Sequence, residues 1–406
     1  MDEGMMRAWV ALALDAGLSV GEGTRLRVVG ALPHRDLMLA VAEGAYRRGA
    51  ALVRIEYDDP RLARIRVDNS RDDFLDEVPL ILEREGGVLT AELWSLLRIV
   101  GDEDPDAMQG ADELRQARVQ RARGRAIATV RTAMMSSRLA WCVMPAATEA
   151  WARKLLGGAA GADDLWAILA PILRLGRPDP AAELRAKMEI LDARALALDA
   201  LHLRELHFAG PGTDLRVALA PESRWVGGSD TTPGGIPFMA NIPTEETFST
   251  PDYRGTEGHV ALTRPVRILG SVVEGGKLRF EKGRVVEASA DRGATALERY
   301  LETDEGSRRL GEVALVDSAN PIGRSGIVFD STLIDENAAC HIALGAGYDP
   351  GFEGSGVWSD SEKDSRGFIV SVVHEDLMIG SPEIDVTGVD ASGREVALLR
   401  RGSFVI

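Results

Sequence analysis

Residues 24–57 read TRLRVVGALPHRDLMLAVAEGAYRRGAALVRIEY, and this stretch predicts the fold of the first part of the chain. Polar and apolar residues alternate over 24–30, which is typical of a strand. Asp36 can cap the helix that follows, and Gly49 ends it. Residues 51–57 are strand-like again. A strand, a helix, a glycine turn and a second strand form a βαβ unit, so we expect a parallel sheet here.

The same alternation continues downstream and predicts an α/β N-terminal domain with a parallel sheet, residues 1–185. The further segments are 79–84, 91–100 and 113–131, a short apolar strand at 140–144, and helices at 148–156, 163–175 and 180–201. Asp179-Pro180 is typical of a helix start, with an N-cap followed by proline in the first turn. No GxGxxG or P-loop pattern follows any of these strands, so nothing in the sequence supports nucleotide binding.

The residue pattern changes from about residue 203, where short segments typical of β-strands are separated by Gly, Pro, Asp and Thr. We expect strands at 259–263, 266–273, 276–281 and 284–288, and helices at 294–301 and 336–343. This pattern predicts a largely antiparallel α+β C-terminal domain, residues 186–406, whose loops carry most of the polar residues.

Composition limits the possible partners. The chain has 406 residues, 45% of them hydrophobic, and a formal net charge of −16. A chain of this acidity is an unlikely ligand for a nucleic-acid backbone or an anionic membrane. The two cysteines, Cys142 and Cys340, cannot form a disulfide framework and fit a reducing compartment. The first residues lack the order of a signal peptide, and no apolar run has membrane-spanning length, so we expect a cytoplasmic protein.

Two of the six histidines lie in dense acidic surroundings. His341 follows Asp335-Glu336-Asn337, and a helix beginning near Asp335 would bring Glu336 and His341 towards one side, where they could share a metal ion. The alternative is an Asp N-cap with acids that favour the helix dipole and a histidine in the core. The other four histidines are more simply explained as structural residues.

His374-Glu375-Asp376 follows an apolar segment, 368–373, that we expect to be a strand. On an extended chain residues 374 and 376 point to the same side, so His374 and Asp376 could supply two ligands from one strand end. The alternative is a solvated strand end, because many strands finish with such residues.

Two further acidic segments are ambiguous when taken singly. Glu245-Glu246 lies between Pro243 and Pro251 in what looks like a rigid, exposed loop, and adjacent carboxylates repel unless a cation is near. Glu312 begins an otherwise hydrophobic strand. Each of these acids could equally be a solvated surface group.

Considered together, the motifs resemble the aminopeptidase T family of metallopeptidases. They are LAWCVMPAATEAWA (139–152), NIPTEETFSTP (241–251), TEGHVALTRP (256–265), GEVALVD (311–317), GIVFDSTLIDENAACHIALGAGY (326–348) and HEDLMIGS (374–381). They occur in the family's order and cover nearly the whole chain.

This resemblance implies a metal-dependent exopeptidase that releases N-terminal amino acids from peptides and forms homodimers. It implies that Glu312 bridges two divalent ions (cobalt, zinc or magnesium) and that Tyr348 is catalytic. The remaining metal ligands that it implies are Glu246, Glu336, His341, His374 and Asp376. Glu245 could carry a proton or anchor the substrate amine.

Two other functions remain open at this point. Two histidines and a carboxylate would suit a mononuclear iron enzyme, such as a ring-cleaving dioxygenase on the same scaffold, although Glu312 and Glu336 favour a second metal position. A catalytically silent binding protein would be expected to lack a ligand or Tyr348, and both are present. Bound iron together with oxygen uptake would identify the dioxygenase. Peptide binding without hydrolysis would identify the binding protein.

Overall fold

The structure is a computed structural model that describes residues 1–101, 103–104 and 106–406. These residues form two compact units. The first comprises Met1–Ala186 and Ser229–Pro243, and the second comprises Lys187–Gly228 and Thr244–Ile406. The predicted boundary lies between residues 185 and 186, whereas in the structure the segment 229–243 also belongs to the first unit.

Helices alternate with strands in the first unit, the helix Pro180–Ala200 continues from the first unit into the second, and the helices after it have at most eight residues. They are α1 (Glu3–Ala11), α2 (Arg35–Arg47), α3 (Pro60–Asn69), α4 (Leu80–Ala91), α5 (Glu113–Ala126), α6 (Ala128–Met135), α7 (Glu149–Leu156), α8 (Ala162–Ile172), α9 (Pro180–Ala200), α10 (Ala294–Leu301), α11 (Pro321–Ser325), α12 (Thr332–Asp335) and α13 (Asp360–Arg366). Single turns of other helix types occur as well, among them Glu336–Ala338.

Most strands belong to three sheets. They are β1 (Arg25–Ala31), β2 (Leu52–Asp58), β3 (Ser95–Val100), β4 (Trp141–Pro145), β5 (Leu203–Gly210), β6 (Thr213–Ala218), β7 (Asp230–Thr231), β8 (Pro237–Phe238), β9 (Glu246–Ser249), β10 (Glu257–Ala261), β11 (Val266–Ile268), β12 (Ser271–Val273), β13 (Lys277–Glu281), β14 (Arg284–Ser289), β15 (Leu310–Val316), β16 (His341–Gly345), β17 (His374–Met378), β18 (Asp385–Asp390), β19 (Glu395–Arg400) and β20 (Ser403–Phe404).

The first unit contains the predicted parallel sheet, with the strand order β2-β1-β3-β4. Leu26 and Val28 of the central strand β1 are fully buried, as their alternation predicted. Helix α2 ends before Gly49, whose φ of +92° lies in the left-handed region that favours glycine. The predicted α/β class of the N-terminal part is therefore confirmed.

The second unit is built from two antiparallel sheets that share one hydrophobic core. The larger sheet has the order β14-β13-β10-β6-β5-β18-β19-β20, and the smaller has the order β17-β16-β15-β9. Phe208 and Phe280 of the larger sheet belong to the same buried cluster as Val313 and Leu377 of the smaller one. Every residue of β15 and β16 is buried. The predicted α+β class is confirmed.

The helix predicted over 336–343 is wrong. The chain forms the short helix α12, a single turn at Glu336–Ala338, and then strand β16 from His341. Ile342 and Leu344 are fully buried in the core, and β16 pairs with β15 on one side and β17 on the other. These long-range pairings and the burial of both side chains outweigh the local helical preference.

Two predictions about chain segments near the acidic motifs are also wrong. Residues 368–373 belong to no strand in the described chain, and β17 begins at His374, where pairing with Gly345 starts. The segment between Pro243 and Pro251 is not an exposed loop, because residues 246–249 form β9 and pair with β15. In both cases the partner strand is distant in sequence. Among the described residues, no helix combines the length and the apolar character needed to cross a bilayer.

Candidate metal centre

The smaller sheet of the second unit presents five of the predicted ligands on one face. Glu312 pairs with Ala343, and Ala343 pairs with Asp376, so these three residues form one cross-strand row. His341 and His374 lie two residues before Ala343 and Asp376 on their own strands, and therefore face the same side.

Glu246 also belongs to this face. It pairs with Val316, which lies four residues beyond Glu312 on β15, and side chains at even spacing along a strand point to the same side. The residue opposite His341 is Ala314, and the residue between Glu312 and Asp376 is Ala343. Their small side chains leave room for longer carboxylate and imidazole groups to meet above the sheet.

The side chains form two groups that could each hold a metal ion. Glu246, Glu312 and His341 form one, Glu312, His374 and Asp376 form the other, and within each group the ligand atoms lie within 4.8 Å of one another. In the first group Nε2 of His341 is 3.1 Å from Oε2 of Glu246 and 3.6 Å from Oε1 of Glu312. In the second, Nε2 of His374 is 3.5 Å from Oε2 of Glu312 and 3.2 Å from Oδ1 of Asp376. Glu312 belongs to both groups.

Both histidines are held with Nε2 directed at the carboxylates. Nδ1 of His341 lies 3.2 Å from the carbonyl oxygen of Ala339, and Nδ1 of His374 lies 2.7 Å from that of Ala346. An Nδ1–H that donates to a backbone carbonyl leaves the lone pair on Nε2 in the neutral ring, which is the tautomer that binds metals.

Glu336 lies beside the two groups without being a member of either. It is buried in the turn before β16 and makes a side-chain hydrogen bond with Asp376. The side-chain amide of Asn337 lies 3.4 Å from Oε1 of Glu336. The structure thus brings Glu336 to the face that carries the other five predicted ligands.

Two buried carboxylate oxygens test whether cations fit this centre. Oε2 of Glu246 and Oε2 of Glu312 are inaccessible to solvent and have no hydrogen-bond partner in the described chain. A buried carboxylate oxygen without a hydrogen-bond partner lowers the stability of the folded protein. A carboxylate oxygen that faces an imidazole lone pair is stabilised only if a proton or a cation lies between the two atoms. Carboxylate oxygens and imidazole nitrogens are also ligand types that are found at zinc, cobalt or magnesium sites. The residues present fit divalent cations.

The pKa values of the centre reflect the same excess of buried negative charge. Burial raises the pKa of Glu312 to about 7 and, with the charge of Glu246, raises that of Glu336 well above its usual value. Burial acts to lower the pKa of His374, but the nearby Asp376 outweighs it and the pKa rises to about 9. For His341 the close carboxylates likewise outweigh burial, and its pKa is well above the usual value. Divalent cations would supply the positive charge that protons otherwise provide.

Tyr348 lies against this centre. Its ring is 4.5 Å from that of His374, centroid to centroid, and 6.0 Å from that of Phe248 in an edge-on contact. Its backbone is fixed by Thr250, whose hydroxyl donates to the carbonyl oxygen of Tyr348 at 2.8 Å. Burial, and next the charge of Glu312, raise the pKa of Tyr348 well above its usual value, so the phenol keeps its proton.

Two polar residues near the centre have contacts that the sequence did not predict. Glu245, for which the sequence suggested a proton carrier or an anchor for the substrate amine, is buried, and its Oε2 lies 2.5 Å from Nζ of Lys187 on α9. Asn337 is fully buried, and its Oδ1 accepts a hydrogen bond from the backbone N–H of Glu245. The only sequence signal was the Asp-Glu-Asn motif itself, because Lys187 is far away along the chain.

Comparisons with known proteins agree with the resemblance drawn from the motifs. The profile of the family described as thermophilic metalloprotease (M29) matches residues 3–404. Aminopeptidase T of Thermus thermophilus is 38% identical over 398 residues, covering 97% of each chain. Aminopeptidase 2 of Geobacillus stearothermophilus is 34% identical over 399 residues, covering 98% of this chain and 96% of its own.

A solved structure, wild-type AmpT from Thermus thermophilus, superposes with a TM-score of 0.92 at 37% identity and covers 99% of both chains. Family, fold and order of motifs therefore agree over nearly the full length, and the predicted resemblance is confirmed. The chain belongs to the M29 family of thermophilic metalloproteases.

Proposed function

We propose that the protein is a metallo-aminopeptidase that releases N-terminal residues from peptides with the help of two divalent ions. The observation that carries the proposal is the sharing of Glu312 between two three-residue groups on one buried sheet face. A carboxylate shared in this way could hold two cations close together, as two-metal hydrolytic sites require. The relatives named aminopeptidases support the reaction class.

The ligands of the two ions follow from the two groups. One ion would be held by Glu246, Glu312 and His341, and the other by Glu312, His374 and Asp376, with Glu336 completing the set. A site of two imidazoles and four carboxylates suits zinc, cobalt or magnesium. When bound, such ions lower the pKa of a coordinated water to about 7 and polarise a carbonyl group.

The chain's own residues orient the reaction. The O–H of Tyr348 can donate a hydrogen bond to the oxyanion that develops on the peptide carbonyl, and its high pKa keeps that donor protonated. The ring of His374 supports the ring of Tyr348 from one side. The free amine of a substrate would be held by a carboxylate of the acidic face. Glu245 is poorly suited to that task, because it already pairs with Lys187.

The two alternatives lack comparable support. A mononuclear iron dioxygenase needs one group of ligands, and this face supplies two. A silent binding protein would not need Tyr348 packed against His374. The family and the named relatives are proteases and aminopeptidases.

We also propose that the enzyme works as a homodimer in the cytoplasm. The dimer rests on the family resemblance alone. Both cysteines are free and buried, which fits a reducing compartment. Light scattering of the purified protein would test the dimer, and cell fractionation would test the location.

The decisive experiment compares peptides that have a free amine with the same peptides after N-acetylation. The protein is stripped with a chelator and reloaded with Co²⁺, Zn²⁺, Mg²⁺ or Fe²⁺. We expect release of amino acids from the unblocked peptides alone, restored by one or more of the first three ions. Absence of hydrolysis with every ion would reject the proposal, and oxygen uptake with Fe²⁺ would favour the dioxygenase.

A further inference from the structure

A buried ion pair lies directly behind one of the two candidate metal positions. Glu245 is only 3% exposed, and its carboxylate lies 2.5 Å from the ammonium group of Lys187, whose side chain is 21% exposed. Buried carboxylates require a counter-charge, and a lysine with part of its side chain in solvent can supply one at lower desolvation cost than a fully buried cation. Lys187 therefore holds the carboxylate of Glu245 in one place.

Glu245 connects two segments that carry predicted ligands. It immediately precedes Glu246, the first residue of β9. Its backbone N–H donates to Oδ1 of Asn337 at 2.7 Å, and Asn337 directly follows Glu336. The amide nitrogen of Asn337 is in turn 3.1 Å from the carbonyl oxygen of Leu333 and 3.4 Å from Oε1 of Glu336. Fixing Glu245 thus fixes the approach of both segments to the centre.

Lys187 does not belong to the ligand set itself. The carboxylate of Glu245 contacts Lys187, whereas that of Glu246 lies beside His341. In the described contacts Lys187 reaches Glu245 from α9 and acts on the ligands through the backbone of residues 245 and 246 and through Asn337.

We propose that Lys187 is a positioning residue for the metal position formed by Glu246, Glu312 and His341. It acts less on the position formed by Glu312, His374 and Asp376, because the described interactions connect the Lys187–Glu245 pair to that position through Asn337 and the hydrogen bond of Glu336 with Asp376. This inference rests on the proposed two-ion centre. Groups that orient ligands from behind typically change metal affinity by about 10–100-fold when removed.

The test is metal binding by the full chain, measured by titration calorimetry and by the absorption of bound Co²⁺. The variants are Lys187→Met, Lys187→Arg, the double variant Lys187→Met/Glu245→Gln, and Lys277→Met as a control. Lys277 is an exposed lysine on β13 of the same unit. Each variant is stripped with chelator, and its unfolding temperature is measured before the titration.

We expect Lys187→Met to weaken one of two binding steps by about 10–100-fold and to change the other much less. Lys187→Arg, which keeps the charge, should recover most of the loss, whereas the double variant, which also lacks the anchored carboxylate, should lose about as much affinity as Lys187→Met. Lys277→Met should bind as the original protein does. Two unchanged steps in Lys187→Met would overturn the proposal, and so would equal weakening of both steps, whether or not the unfolding temperature falls.

The same measurements separate this inference from the proposed function. A protein that binds two ions and hydrolyses no peptide would refute the aminopeptidase, while the selective loss in Lys187→Met would still support the positioning role. If Lys187→Met does not fold, Lys187→Arg and the single variant Glu245→Gln carry the test. In that case equal affinity of both variants and the original protein at both steps would reject the positioning role.

Discussion

Glu312 on β15 and Asp376 on β17 are not neighbours in the sheet, yet both pair with the same residue, Ala343 of the strand between them. Both side chains reach His374, which lies 3.5 Å from Glu312 and 3.2 Å from Asp376. The small side chain of Ala343 at the centre of the row leaves room for them.

Replacing Ala343 by valine should damage the centre without harming the strand. Valine is well suited to a β-strand, but its methyl groups would occupy the space that Glu312 and Asp376 need. We expect weaker metal binding and lower peptidase activity in Ala343→Val, with little change in the unfolding temperature. The matched control is Ile342→Val on the opposite, core-facing side, which should cost roughly 0.5–1.5 kcal/mol of stability and leave metal binding intact. The prediction fails if the two variants behave alike.

Removing the charge of Glu312 should affect both metal positions at once. Glu312→Gln is expected to abolish turnover and to lower the affinity of both binding steps. The loss should exceed the roughly 10–100-fold that follows when a residue hydrogen-bonded to a metal ligand is removed.

Asp376→Asn should weaken one binding step far more than the other, because Asp376 belongs to one group. His341→Ala should likewise abolish turnover and weaken the other step. Titration calorimetry with activity assays distinguishes these patterns, and full turnover in Glu312→Gln would exclude the bridging role.

Tyr348→Phe isolates the hydroxyl group from the ring. The contacts of the ring with His374 and Phe248 are kept, so metal binding, KM and the unfolding temperature should stay close to those of the original protein. Loss of one preorganised oxyanion donor typically lowers kcat by about 10²–10³-fold. Steady-state kinetics on an unblocked peptide measure this. An unchanged kcat would remove Tyr348 from the mechanism.

Acid should destabilise the first unit through His34. This histidine is 3% exposed, and burial lowers its pKa from 6.5 to about 4 despite its contact with the carbonyl oxygen of Ala146. The unfolded chain binds the proton more readily, so stability falls as the pH decreases from about 6.5 to about 4. The full difference corresponds to roughly 3 kcal/mol. The His34→Gln variant should lose less stability over this pH range than the original protein does. The control is His202→Gln, at an exposed position, which should lose as much stability as the original protein. Denaturant titrations at several pH values measure the free energy of unfolding of each protein.

The parts of the fold that were predicted correctly are those with local signals. The strand and helix at 24–57 depend on alternation and a glycine, both within a few residues of one another. The cap predicted at Asp36 is wrong, because the helix begins at Arg35 and Asp36 lies in its first turn, where an acid is favourable to the helix dipole. The strand character of His341 depends instead on β15 and β17, and that of Glu246 on β15, which are distant in sequence. Local helical preference at 336–343 and the two prolines around 245–246 therefore misled the prediction.

The candidate site shows the same division. The motifs identified the family and hence the six candidate ligands, and the structure brings these residues to one face. Lys187, by contrast, is joined to Glu245 only by folding, and no spacing rule connects two residues so far apart. Sequence motifs therefore indicate candidate metal ligands more readily than the residues that contact the segments carrying those ligands.

The order of the strands along the chain has a consequence for biosynthesis. Strands β9, β15 and β16 supply one complete group of ligands, whereas the other group needs β17, which leaves the ribosome later. A nascent chain could therefore assemble the first metal position while the second is still incomplete. The group formed by Glu246, Glu312 and His341 is thus complete earlier in translation than the group that includes His374 and Asp376.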